Sequence, residues 1–179
     1  MIIQLFKEYG KKKKNLGTRP IKAPNMNAFP IGFFDGASQA MVGGCGMVIW
    51  LNITHSYHSW MGIGLGSNNF TELVAAWSLL QWAKRLGLSK CRVFGDSRVV
   101  IDWIQGISNM KTTLLQHWFK RILKLIECFV HVYFEHFYRC FNNKVDFLSK
   151  RGLYSPMGTL FFEEFIGLEQ VDEGSFSMF

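Results

Sequence analysis

The sequence predicts an α/β fold in which a mixed sheet is covered by helices on both faces. Three observations carry this. Apolar runs of strand length alternate with segments of helical spacing, in the order βββαβααβα. The first three strands are joined by connections too short for crossovers, whereas the later ones are linked through helices, so antiparallel and parallel pairing must share one sheet. With 49% apolar residues, among them 17 Phe and 6 Trp in 179 residues, the chain can bury a core rich in rings.

The elements follow in order. Residues 29–36 (FPIGFFDG) form an apolar run that ends in Asp-Gly, a strand entering a turn at Asp35. Gly43, Gly44 and Gly46 read as a hinge before a second strand over 47–51. A third strand, 55–64, follows a short Asn-containing turn and completes an antiparallel meander. Asn68 and Asn69 precede a long helix that Gly87 stops, with Glu72 in its first turn. Residues 90–95 (KCRVFG) form a buried strand, and Asp96-Ser97-Arg98 opens a helix running to Gly106. Leu114, Leu115, Trp118, Phe119, Ile122, Leu125 and Ile126 make one face of an amphipathic helix, with Lys120, Arg121 and Lys124 outward. Residues 129–137 alternate as a fifth strand, and a last helix starts near Asn142. Five strands are therefore expected, three antiparallel and then two parallel.

Charge divides the chain into three parts. Residues 1–28 carry seven Lys/Arg and one Glu, with Lys11, Lys12, Lys13 and Lys14 in a run and Pro20 and Pro24 nearby. The residues after Gly152 carry five acids and no base. The expected organisation is a basic flexible arm at 1–27, a folded domain at 28–152, and an acidic, partly packed tail at 153–179. The net charge of +7 suits a polyanionic partner; the Lys run itself is a phosphate contact, a nuclear address or a solvated charge run. The longest near-apolar stretch, 40–53, is interrupted by three Gly and is too short to span a bilayer, and the apolar start lasts only six residues. An intracellular protein of nucleus or cytoplasm, not secreted and monomeric, is the expectation. Cys45, Cys91, Cys128 and Cys140 form no CxxC pair and read as buried thiols of a reducing compartment.

The body between the arm and the tail has seven acids, and four of them fall where strands or helices meet loops: Asp35, Glu72, Asp96 and Asp146. If the strands ending in Asp35 and Asp96 are neighbours, both carboxylates enter one crevice at the end of the sheet. Each acid has a plainer reading: Glu72 as a helix-dipole partner, Asp96 as an N-cap, Asp35-Gly36 as a turn. Four such coincidences in a basic body with few acids are less economical than one shared site. Clustered carboxylates repel, and hard oxygen donors suit Mg²⁺ or Mn²⁺ rather than zinc.

The segments FFDGAS, NNFTELVAAWSLLQWA, VFGDSRVVIDWI and HFYRCFNNKVDFLSK, in that order, resemble type 1 ribonuclease H. They are most similar to the ribonuclease H-like domains of plant non-LTR retrotransposons and their single-domain relatives, over about residues 28–152. The resemblance implies a ribonuclease H-like fold and two Mg²⁺ ions, replaceable by Mn²⁺, held by Asp35, Glu72, Asp96 and Asp146. It implies endonucleolytic hydrolysis of the RNA strand of RNA–DNA hybrids through the two ions. His136, ten residues before Asp146, matches the family histidine that assists proton transfer or product release, with a plain strand-end histidine as the alternative. Substrate contacts are implied for Gly36, Asn68, Asn69, Ser97, Arg98 and Asn142, with helix capping as the rival role for Asn68 and Asn142.

Two positions depart from the family pattern. Ala40-Met41-Val42-Gly43 stands where a Gly-Asn-Pro-Gly stretch is usual, so Met41 replaces an amide; packing of Met41 against Phe33 or Trp50 is its other possible use. Cys140 stands where Glu usually follows Arg. The competing functional class is a retroelement-derived binding domain that holds nucleic acid with weak or no cleavage.

Overall fold

The structure is a computed structural model that describes residues 30–139 and 142–179. The basic arm with its Lys run, and Cys140, lie outside the described residues.

The expected meander is present. Strand β1 (Ile31–Gln39) pairs antiparallel with β2 (Val42–Trp50), and β2 pairs antiparallel with β3 (His55–Leu65). After helix α1 (Asn68–Arg85), β4 (Lys90–Gly95) returns parallel to β1. Helices α2 (Arg98–Ile104) and α3 (Thr113–Ile126) lead to β5 (His131–His136), parallel to β4, and α4 (Asn143–Gly152) follows.

The sheet has seven strands, not five. The segment read as an acidic tail folds into an antiparallel hairpin, β6 (Thr159–Ile166) and β7 (Glu169–Ser177), and β6 pairs with the free edge of β3. The spatial order is β5-β4-β1-β2-β3-β6-β7. Aromatic burial drives this addition: Trp82 of α1 packs against both Phe162 and Phe176, and Phe179 stacks on Trp77.

Alternation along each strand splits the core between two faces. Phe34, Met47 and Ile49 point toward α1, α2 and α3, joining Leu73, Ala76, Leu80, Ile101 and Ile122. Phe33, Val48 and Trp60 point the other way, under Val145 and Leu148 of α4. Helices therefore cover both faces, as expected.

Four local expectations need correction. Strand β1 does not end at Asp35 but runs on to Gln39, because Ala40 and Met41 take positive φ (48° and 67°) in a two-residue hairpin turn. Met41 is 59% exposed there and does not pack on Phe33 or Trp50 as a buried residue would. Gly43, Gly44 and Gly46 are no hinge; they lie within β2, where the missing side chains let α4 approach. Cys45 and Cys91 are buried, but Cys128 is exposed just past α3. No helix among the described residues is long and apolar enough to cross a membrane.

Candidate metal centre

The register of the parallel pair sets the site. Phe34 of β1 lies opposite Gly95 of β4, so the residues that follow, Asp35 within β1 and Asp96 just past the end of β4, come side by side. Gly36 then decides how close α1 comes. A Cβ there would sit 2.3 Å from the Thr71 carbonyl carbon and 2.4 Å from the Glu72 nitrogen, so only glycine lets the helix press onto the strand. Ser67, not Asn68, caps α1 by accepting from the Phe70 N–H, which places Glu72 beyond the first turn. One carboxylate oxygen each from Asp35, Glu72 and Asp96 lies within 4.8 Å of the others.

Helix α4 closes the opposite side. A Cβ on Gly46 would meet the Ser149 nitrogen at 2.3 Å, so α4 lies on β2 at backbone contact. This brings the Ser149 hydroxyl to donate to Asp35 Oδ2 at 2.5 Å. Asp146, in the first turn of α4, stands outside the tight triad. Its Oδ1 accepts from Arg139 at 3.4 Å and its Oδ2 from Lys150 at 2.6 Å.

Burial raises three of the four acids, and basic neighbours lower the fourth. Desolvation raises Asp35 to about 6, aided by the charges of Asp96 and Asp146 and opposed by the Ser149 hydrogen bond. Desolvation, with Asp35 and Asp96 adding to it, holds Glu72 well above the usual carboxylate range, although the Gly36 N–H donates to it. Asp96 is raised by burial against the pull of Arg139. For Asp146, burial is outweighed by Lys150 and Arg139, and its pKa falls. Glu72 Oε2 is buried and has no hydrogen-bond partner among the described residues. A buried carboxylate with an unpaired oxygen and two acids nearby costs several kcal/mol in a dry setting. A hard divalent cation with oxygen ligands relieves that cost, so the donor set fits Mg²⁺ or Mn²⁺.

The other expected site residues are placed as follows. His136 ends β5, with Nε2 3.1 Å from the Asp96 carbonyl oxygen. Asn68 and Asn69 are exposed at the start of α1, and Asn68 precedes Glu72 by one turn on the same face. Ser97 caps α2 by accepting from the Val100 N–H, and Arg98 is exposed beside Asp102. Asn142 makes no side-chain cap for α4; it is buried, and its amide donates to the Phe34 carbonyl at 3.2 Å. Sequence reasoning missed Ser149 and Arg139. Ser149 follows Asp146 by three residues and so shares its helical face, a usable signal. Arg139 has no comparable signal, because only the tertiary fold brings it between Asp96 and Asp146.

A family model described as reverse transcriptase-like matches residues 33–152, the span that holds all four carboxylates. The chain belongs to that family. Among solved structures, this reverse transcriptase-like chain is similar to RNase H1 from Halobacterium salinarum (25% identity, TM-score 0.65, covering 69% of this chain and 96% of that one). It is similar also to LC11-RNase H1, isolated from compost (26% identity, TM-score 0.62, 69% and 94% covered). A structure of LC11-RNase H1 in complex with an RNA/DNA hybrid matches at 24% identity and TM-score 0.63, covering 70% and 96%. No curated protein matches the sequence. Type 1 ribonuclease H architecture thus accounts for the region from β1 to α4.

Proposed function

We propose that this reverse transcriptase-like domain is an endonuclease that hydrolyses the RNA strand of RNA–DNA hybrids. The observation that carries the reading is the oxygen triad of Asp35, Glu72 and Asp96, together with a buried Glu72 oxygen that has no hydrogen-bond partner among the described residues. It occurs on a fold whose neighbours include ribonucleases H1, one of them bound to a hybrid.

Asp35, Glu72, Asp96 and Asp146 would hold two Mg²⁺ or Mn²⁺ ions. Bound there, such ions supply Lewis-acid charge at the scissile phosphodiester. The chain's own groups prepare the rest. Ser149 holds Asp35 in one orientation, and Gly36 does the same for Glu72 through its N–H. His136 donates from Nε2 to the Asp96 carbonyl oxygen, which holds its imidazole beside that acid's backbone for a role in proton transfer or product release. The exposed amides of Asn68 and Asn69 can each donate to and accept from a ribose 2′-hydroxyl, the group that separates RNA from DNA. Arg98, exposed at the start of α2, offers a phosphate contact. Asn142 acts from beneath, fixing β1 through the Phe34 carbonyl.

The test is cleavage of an end-labelled hybrid in millimolar Mg²⁺, beside duplex DNA, duplex RNA and chelator controls. Cutting of the RNA strand of the hybrid alone, abolished by chelator, is expected. Hybrid binding with no cutting in either Mg²⁺ or Mn²⁺ would reject the nuclease reading in favour of a binding domain.

A further inference from the structure

The β6–β7 hairpin closes one edge of the sheet and opens another. Strand β7 pairs only with β6 among the described residues, so its far side is an unpaired strand edge. The start of that edge is apolar as well as acidic. Leu168, in the hairpin turn, is 93% exposed, and Ile166 and Val171 on either side of it are exposed too. Glu169, Asp172 and Glu173 are exposed along the same stretch. The pairing register sets acid against acid, with Glu163 opposite Glu173 and Glu164 opposite Asp172. Like charges directly across a strand pair destabilise it. The β6 members have partners, Glu163 in Arg151 and Glu164 in His55 and Tyr57. The β7 members have no basic partner among the described residues: Glu173 accepts from the Gln170 amide at 2.8 Å, and Asp172 from the Glu173 N–H at 2.9 Å.

The chain enters the described fold at the same end of the sheet. Ile31, the first residue of β1, lies in one pairing row with Trp50, Ser56, Phe165 and Gln170. Four strand spacings of about 4.8 Å therefore separate the start of β1 from the start of β7 by about 19 Å. Residues 15–29, which join the Lys11–Lys14 run to Pro30, can span up to about 50 Å. We propose that the open edge of β7 is the docking surface for this chain's own Lys11–Lys14 run. The lysine stems lie along Ile166, Leu168 and Val171, and their ammonium groups reach Glu169, Asp172 and Glu173. A tether of this length holds the run at an effective concentration of about millimolar, so contacts that are weak one by one suffice. Nucleic acid and the hairpin then compete for the same four lysines, with the acids of β7 standing in for phosphate. The docking does not depend on what the metal centre binds or cleaves.

Carbodiimide coupling of the full chain, mapped by peptide mass spectrometry, reads the contact directly. Lys11–Lys14 should couple to Glu169, Asp172 or Glu173 at low salt, with a yield that holds on tenfold dilution and falls at least about fivefold in about 0.5 M NaCl. A yield that falls with dilution would give the acids to the arm of a second copy and overturn docking within one chain. No such coupling at any concentration would overturn it outright. Binding to immobilised heparin supplies an independent reading. Replacing the three acids together (Glu169→Gln, Asp172→Asn, Glu173→Gln) should tighten heparin binding about tenfold at low salt, because the lysines are released. With Lys11–Lys14 all changed to Gln, the same replacement should change it by about twofold or less. Equal gains on both backgrounds would mean that the acids add only to the net charge, and would overturn the proposal.

Discussion

Ser149 on α4 donates its hydroxyl to Asp35 on β1 at 2.5 Å, so a helix on one face of the sheet holds the central acid of the site. The same oxygen lies 2.9 Å from the Asp146 carbonyl, which locks its rotamer. The hydrogen bond favours the ionised form of Asp35 against a desolvation that raises it. Ser149→Ala should therefore raise Asp35 further, by about one pH unit, given the usual worth of a hydrogen bond to a charged group. The acidic limb of the rate profile should move up by that amount, with a loss of less than about tenfold at alkaline pH. The pH–rate profile of the variant measures it, and an unmoved limb would show that the serine is structural only.

Linkage gives a second prediction. Asp35 is raised from 3.8 to about 6 and Glu72 is raised well above its ordinary value, so the folded chain binds more protons than the unfolded chain in this window. The stability these acids allow is full below the unfolded value and is lost as pH rises through the folded one. Without metal, their contribution should lower the melting temperature between about pH 4 and pH 7. Divalent ion should restore it at about pH 8 by several degrees, and should do little at about pH 4, where protons occupy the same oxygens. Thermal melts in chelator and in Mg²⁺ at both pH values check this; equal Mg²⁺ effects at the two would contradict it.

Helix placement is testable at Gly46. An alanine Cβ would lie 2.3 Å from the Ser149 nitrogen and 2.5 Å from the Val145 carbonyl oxygen, both backbone atoms that cannot rotate away. Gly46→Ala should cost about 1–3 kcal/mol or more, and should lower activity beyond the stability loss by moving Ser149 off Asp35. Denaturant melts with hybrid cleavage measured on the folded fraction separate the two effects. Wild-type stability would mean that α4 does not sit at backbone contact.

Much of the site was legible because local signals agreed with the tertiary outcome. Asp35 and Asp96 follow apolar strand-like runs, and the parallel register that sets Phe34 opposite Gly95 brings them together although β1 runs on past Asp35. Ser149 and Arg139 were not legible, since each acts across a contact that only the packing of α4 and its preceding loop creates. The hairpin of β6 and β7 was hidden for a different reason. Strand β6 packs rings on both faces, Phe161 on Trp60 and Phe162 on Trp82, so FFEEF shows no clean alternation. The glycines of β2 misled because their role, close approach of α4, has no signature within the strand itself.

Met41 tests the hairpin turn. Its φ of 67° is a left-handed conformation that costs a bulky residue about 1–2 kcal/mol and that asparagine tolerates better. Met41→Asn should gain about 0.5–1 kcal/mol, raising the melting temperature by about 1–4 °C for a domain of this size. Its exposed amide should also tighten hybrid binding by about tenfold through a hydrogen bond to phosphate. Melting temperature and hybrid Kd on the same variant decide it. A lower melting temperature with weaker binding would contradict both expectations.

The most direct measurement of the central claim is hybrid cleavage in Mg²⁺ by Asp35→Asn beside the wild type, with circular dichroism and melts in chelator on the same samples. The asparagine keeps the shape and can still accept from Ser149, but it removes one charged ligand oxygen from the triad and part of its self-repulsion. The account predicts an intact fold, a melting temperature in chelator at or above the wild type's, and cleavage reduced by roughly a thousandfold or more. Near-normal cleavage by the folded variant would contradict the metal-centre assignment outright.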